Sequence, residues 1–267
     1  MDVTIRQGIF DHAKKWVYEA GNTIRKQMQE SFQVDTKSNP NDLVTEIDRS
    51  TERFFIERIR REFPAHHIVS EEGYGDNVTD AEGTIWIIDP IDGTMNFVHQ
   101  KRNFAISIGI YQDGVGEIAL IYNVMDDVLY TALKGEGAFR NEEPLQQLSN
   151  EVSIETSIIA MNSSLACEND RINEKKIQQL IRDSRGTRSY GSAALEFAFV
   201  AEGIVDAYLT IRLSPWDFAA GLILVREVGG VTIQSNGEPV DMLHNNTILT
   251  SNQEIQSDLL ERYIDLK

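Results

Sequence analysis

The stretch WIIDPIDGTMNF, residues 86 to 97, runs an apolar strand pattern into two aspartates, Asp89 and Asp92, and then a Gly-Thr pair. A carboxylate buried without a partner costs several kcal/mol, so two of them at a strand end require something to neutralise them. Pro90 withholds a backbone donor and Gly93 permits a tight turn. The segment can therefore fold both carboxylates toward one point while Gly93 and Thr94 present N–H groups at a following helix start. Such a turn could hold a metal ion and a phosphate side by side. It could equally use Asp92 as a turn residue and helix cap.

More acids stand at comparable places. Glu71 and Glu72, in SEEG at 70 to 73, follow the short apolar strand HIV; alone they read as a solvated turn. In LSPWDFAAG, 213 to 221, Ser214 is placed as an N-cap, Pro215 at the first helical position and Asp217 at the third, a capping box with Asp in place of Glu or Gln. Capping and ligation both remain open for Asp217. An inventory of carboxylates suits hard, oxygen-ligating ions such as Mg²⁺, whereas zinc and copper recruit His or Cys. His66 and His67 are adjacent and diverge, and His12, His99 and His244 show no ligand spacing. Two or more Mg²⁺ ions held about 3.5–4 Å apart by carboxylates are the standard device for in-line phosphate-ester hydrolysis, and such ions would neutralise Asp89 and Asp92.

Elements that could position these acids follow from periodicity. Ile5, Ile9, Ala13, Trp16, Val17 and Ala20 form a helical stripe ending near Gly21, and Phe54, Phe55, Ile59 and Phe63 form a second. Between them QVDTKSNPNDLVTEID reads as a loop that enters the second helix near Thr45 to Asp48. From Phe104 onward alternating apolar residues, broken by Asp113-Gly114 and by MDD, predict an antiparallel meander, followed by a turn region in KGEGAFRNEEP. Beyond it strands and helices alternate to a final helix at 253 to 264. We divide the chain near residue 145: 1–145 carries the N-terminal helices, the antiparallel sheet and most of the acids, and 146–267 is an α/β part that completes the site.

The 267 residues, 41% apolar, suffice for a sizeable core. Lys and Arg number 25 against 42 Asp and Glu, so the net field repels phosphate backbones and direct nucleic-acid binding is not expected. No basic segment precedes an apolar one at the N-terminus, and no apolar run is long enough for a membrane span, so a soluble, cytoplasmic protein is expected. The one cysteine, Cys167, reads as an ordinary thiol.

Six segments in order, KSNPNDLVTEID (37 to 48), SEEG (70 to 73), WIIDPIDGTMNFVH (86 to 99), GTRSYGSAA (186 to 194), VDAY (205 to 208) and PWDFAAG (215 to 221), resemble the inositol monophosphatase family of the lithium-sensitive, magnesium-dependent phosphatase superfamily. The resemblance spans nearly the whole chain. It implies a mixed α/β (α+β) fold of the sugar-phosphatase type, an αβαβα layered sandwich paired as a homodimer. It implies two to three Mg²⁺ ions: Glu71, Asp89 and the Ile91 carbonyl around one, Asp89, Asp92 and Asp217 around a second, and Glu71 at a weaker third. Glu71, Asp48 and Thr94 would carry the catalytic roles, Asp48 and Thr94 by helping to activate water. The substrate would meet Asp92, the Gly93 and Thr94 amides, Gly191, Ser192 and Ala193, with Lys37 on the loop near the metals. Animal members have a glutamate seven residues before the last metal aspartate, where it contacts substrate hydroxyls. Here that position is Thr210, which opens the specificity toward NADP(H), sugar phosphates and other small phosphomonoesters.

Two alternatives differ in kind. A haloacid-dehalogenase-type phosphatase would use Asp-x-Asp with the first aspartate as covalent nucleophile, but Pro90 and Ile91 make the spacing here too long. A non-catalytic regulatory protein could keep the fold and metal site for binding alone, yet every acid that the resemblance requires is present.

Overall fold

The computed structural model describes residues 1–36 and 43–267. Seven helices, α1 (Val3–Gln27), α2 (Glu46–Glu62), α3 (Thr94–Gln100), α4 (Glu174–Asp183), α5 (Ala193–Glu202), α6 (Pro215–Glu227) and α7 (Gln253–Arg262), accompany three sheets among the described residues. Strands β1 (Val34–Thr36) and β2 (Leu43–Thr45) form a small antiparallel pair. The largest sheet follows chain order through β3 (His67–Ser70), β4 (Thr84–Asp92), β5 (Ala105–Gln112), β6 (Val115–Asn123), β7 (Val128–Leu133), β8 (Gly137–Arg140) and β9 (Glu143–Pro144); β3 and β4 are parallel and the rest antiparallel. The third contains β10 (Ile158–Met161), β11 (Gly186–Arg188), β12 (Ala207–Leu213), β13 (Val231–Ile233) and β14 (Asn246–Ser251) in the order β11-β10-β12-β14-β13.

Alternation along β4 shows how the layers stack. Trp86 and Ile88 point into a core with Trp16, Val17 and Ile24 of α1 and Phe55 and Ile59 of α2. Ile85 and Ile87 point the other way, into a core with Phe197 of α5, Phe218 and Ile223 of α6, and Ile248 of β14. The far face of the third sheet, including Ile159, Leu209 and Leu249, packs on Ile177 and Leu180 of α4 and Ile255 and Leu259 of α7. Helix, sheet, helix, sheet, helix: this is the αβαβα sandwich. The large sheet ends at Pro144 and the third begins at Ile158, but the α5–α6 layer gives both a common core.

Three local expectations change. Helix α1 continues through Gly21 to Gln27, because Gly21 does not end the helix but admits a neighbour: a Cβ there would lie 2.3 Å from Tyr122 Cε1. The segment expected as a loop before α2 contributes β1 and β2. The expected turn region after residue 133 contains β8 and β9, and β11 adds a parallel edge beside β10. These strands are two to four residues long and are held by pairing with neighbours rather than by an apolar pattern of their own. No helix among the described residues is long and apolar enough to cross a membrane.

Candidate active site

Residues three apart on a regular strand point to opposite faces, so Asp89 and Asp92 could not share a site on an unbroken β4. Register with β5 resolves this: Asp89 pairs with Ser107 and Asp92 with Ala105, three steps on β4 against two on β5. The extra residue is a bulge, which re-aims the strand end. With Asp217, at the start of α6, the two acids then bring carboxylate oxygens within 4.8 Å of one another. Asp217 also accepts the Ser214 amide at 2.7 Å, so the same side chain caps α6 and joins the cluster.

Each acid is fixed by its own surroundings. Asp89 Oδ1 accepts the Ile91 amide at 2.9 Å. Asp92 sits on the first turn of α5: Ser192 Oγ donates to its Oδ2, as does the Ala194 amide at 2.8 Å, while the Ala193 amide reaches Oδ1 at 3.2 Å. A helix N-terminus favours such an anion. Glu71 follows β3 in a turn held from below by Glu52, a fully buried acid of α2. Glu52 accepts the Ser70 hydroxyl at 2.7 Å and the Glu72 and Tyr74 amides at 2.6 and 2.9 Å. The charge of Glu71 in turn bears on Asp89.

Asp48 is the third residue of α2 and shows the same double use as Asp217. Its Oδ2 accepts the Thr45 amide at 2.9 Å, closing a capping box, and its Oδ1 accepts the Thr94 hydroxyl at 3.3 Å. Thr94 Oγ1 also lies 3.1 Å from the Ile91 carbonyl oxygen, so these groups meet at the start of α3. Gly93 caps α3 in the left-handed conformation, φ 93°, and a Cβ on it would come within 3.1 Å of Gly191 O and Ser192 Cβ. Only glycine lets the β4–α3 turn close against the start of α5.

Burial pushes the Asp89 carboxyl well above the ordinary carboxylate range, and the charges of Glu71, Asp92 and Asp217 push it further. Burial raises Asp92 to about 7, against the hydrogen bonds from Ser192, Ala194 and Ala193 that hold it down. It raises Asp48 to about 6 despite the Thr45 hydrogen bonds. Neither Asp89 nor Asp92 forms an ion pair with a Lys, Arg or His among the described residues. An all-oxygen donor set of clustered carboxyls fits a hard divalent cation.

Beside the cluster lies a cleft of about 260 Å³, lined by Asp92, Gly191, Ser192, Ala193, Thr210 and Asp217 among others. Asp89, Asp92 and Asp217 thus lie together, Asp48, Thr94 and Ile91 meet beside them at the start of α3, and Gly191, Ser192, Ala193 and Thr210 line the adjoining wall. Lys37 lies outside the described residues. Sequence reasoning missed that Ser192 and the following amides anchor Asp92, and it missed Glu52. The signal for Glu52 was legible: an acid three, four and seven residues before Phe55, Ile56 and Ile59 stands on the apolar stripe of α2.

Comparison with known proteins agrees with this geometry. The model of the inositol monophosphatase family matches residues 6–265. The inositol-1-monophosphatase of Bacillus subtilis is 54% identical over 252 residues, covering 94% of this chain and 95% of that protein. Among solved structures, 2′-AMP-bound SaIMPase-II superposes with a TM-score of 0.88 at 41% identity, covering 96% of this chain and 94% of that one. An IMPase/NADP phosphatase complexed with Mg²⁺ and phosphate gives 0.89 at 26% identity, covering 96% and 95%. A five-layer fold, an acid cluster at the end of a bulged strand and a family match over nearly every residue lead to one conclusion: the chain belongs to the inositol monophosphatase family and is a phosphoric monoester hydrolase.

Proposed function

We propose that the protein hydrolyses small phosphomonoesters in a Mg²⁺-dependent reaction, with inositol monophosphate a principal substrate and with a specificity that extends to 2′-phosphorylated nucleotides. The observation that carries this reading is the convergence of Asp89, Asp92 and Asp217 within 4.8 Å. Asp89, Asp92 and Asp217 would hold one ion, and Glu71, Asp89 and the Ile91 carbonyl another. Bound there, Mg²⁺ supplies the positive charge that lowers the pKa of water and stabilises the departing oxygen.

The chain's own groups do the rest. Thr94 Oγ1, between Asp48 Oδ1 and the Ile91 carbonyl, is placed to pass a proton from the attacking water to Asp48. The water oxygen bonds to phosphorus, the bond to the alcohol oxygen breaks, that oxygen takes a proton from a solvent water to leave as the alcohol, and no residue is phosphorylated. The Gly93 and Thr94 amides hold the phosphate. Thr210, on the cleft wall, presents a neutral hydroxyl that neither demands a polyol nor repels additional anionic groups. The relatives solved with 2′-AMP and named as an NADP phosphatase support such breadth. Phosphate release from inositol 1-phosphate, 2′-AMP and NADP, each with Mg²⁺ and with EDTA, tests the proposal; release from none of them with Mg²⁺ present would overturn it.

A further inference from the structure

One wall of the cleft carries a positive charge that the hydrolytic chemistry leaves unused. Tyr208, Thr210 and Arg212 alternate along β12 and line the cleft together. Thr210 pairs with Ile248 and Leu213 with Asn246, three steps on β12 against two on β14, so a bulge lies at Ile211–Arg212. Bulges re-aim the side chains they contain, and here both Arg212 and Leu213 border the cleft. Arg212 is exposed. It has no hydrogen bond or ion pair among the described residues.

The acids of the cleft do not employ it as a counter-charge. Asp92 is held by Ser192, Ala193 and Ala194. Glu196 accepts the Tyr190 amide at 2.7 Å and the Gly191 amide at 3.4 Å. Asp217 accepts the Ser214 amide. The remaining polar lining of the cleft consists of Asn162, Ser189, Ser192, Tyr208 and Thr210, all neutral. In a chain with 42 acids and 25 Lys and Arg, a guanidinium on the cleft wall with no ion pair among the described residues, even though Asp92, Glu196 and Asp217 line the same cleft, can receive an anion that the ligand brings. Guanidinium geometry matches a phosphate, whose oxygens it can engage in pairs.

We propose that Arg212 recognises a second phosphate on the alcohol part of the substrate, so that an ester whose alcohol is itself phosphorylated is favoured over the otherwise identical monophosphate. The inference rests on the phosphatase reading of the same cleft. The reaction is unchanged: one phosphoryl group is transferred to water at the acid cluster while the other, held at Arg212, stays on the product.

A matched pair of probes isolates the effect: 2′-AMP, with one phosphate, and adenosine 2′,5′-bisphosphate, with two. The Mg²⁺-loaded enzyme is expected to show the higher kcat/KM for the bisphosphate, releasing the 2′-phosphate and leaving 5′-AMP, and this preference should shrink as NaCl screens the contact. Arg212→Gln should lower kcat/KM for the bisphosphate about tenfold more than for 2′-AMP, within the range of a charge-assisted hydrogen bond. Arg212→Lys, which keeps the charge, should retain part of the preference. A preference for 2′-AMP in the wild type, or equal losses on both probes in Arg212→Gln, would overturn the assignment. Hydrolysis of inositol 1-phosphate but of neither adenosine ester would overturn it while leaving the phosphatase reading intact, and inactivity on all three would overturn both.

Discussion

Thr94 Oγ1 donates to Asp48 Oδ1 at 3.3 Å while the other oxygen of that carboxylate accepts the Thr45 amide at 2.9 Å. One acid therefore starts α2 and faces the position where water must lose a proton. Asparagine keeps an acceptor for the cap but cannot take up that proton. Asp48→Asn is expected to stay folded, within about 1 kcal/mol of wild type, and to lose on the order of 10²-fold or more in kcat. Steady-state kinetics beside a thermal melt checks this; near-normal kcat would remove Asp48 from the activation of water.

The acid cluster should make the metal-free protein pH-sensitive. Asp48 is raised to about 6, Asp92 to about 7 and Asp89 well above the ordinary carboxylate range, all above an unfolded carboxyl near about 3.9. The folded state thus binds more protons, and the stability this contributes is present below about pH 4 and lost as pH rises through 6 and 7. In EDTA, Tm should fall across that window. Added Mg²⁺ should raise Tm by several degrees more at pH 8 than at pH 5. A Mg²⁺ effect equal at both pH values would contradict the placement of the ion among these carboxyls.

Glu52 touches no candidate metal position but accepts three donors from the turn that carries Glu71. Gln offers one oxygen and turns an NH₂ toward one of those donors, leaving buried groups unpaired at a cost of about 1–3 kcal/mol. Glu52→Gln should lower Tm and raise the Mg²⁺ concentration needed for half-maximal activity, with kcat recovering at saturating Mg²⁺. A Mg²⁺ titration that overlays wild type would confine Glu52 to stability.

How much of this was legible in the sequence depended on range. The meander from Phe104 was readable because Ile106, Ile108 and Ile110 alternate, and α6 because Ser214, Pro215 and Asp217 spell a helix start. Asp217 illustrates an ambiguity that vanishes in three dimensions: capping and membership of the cluster looked like rivals, and one carboxylate does both. The bulge that turns Asp89 and Asp92 to the same side depends on pairing with β5, and the anchoring of Asp92 by Ser192 joins residues 100 apart in the chain. Local spacing carries no record of such contacts. The exposed pair β9, Glu143–Pro144, has no apolar pattern at all and exists through its bonds to β8.

Thr210 tests specificity from the opposite side to Arg212. A glutamate there would accept hydrogen bonds from a polyol and repel further phosphates. Thr210→Glu is expected to shift the ratio of kcat/KM values toward inositol 1-phosphate over NADP by about tenfold, equivalent to about 1.4 kcal/mol. An unchanged ratio, with both activities measurable, would move the determinants of specificity elsewhere in the cleft.

The proposed hydrolysis depends on a metal site formed by the buried carboxyls at the end of β4 and the partly buried Asp217 at the start of α6. Its most direct test is phosphate release from inositol 1-phosphate by EDTA-stripped protein titrated with Mg²⁺, run beside Asp89→Asn. We expect no release in EDTA, full recovery of the wild type with Mg²⁺, and a rate for Asp89→Asn lower by on the order of 10²-fold at every Mg²⁺ concentration. Undiminished release in EDTA, or an Asp89→Asn rate within about twofold of wild type, would contradict a catalytic metal site at these carboxyls.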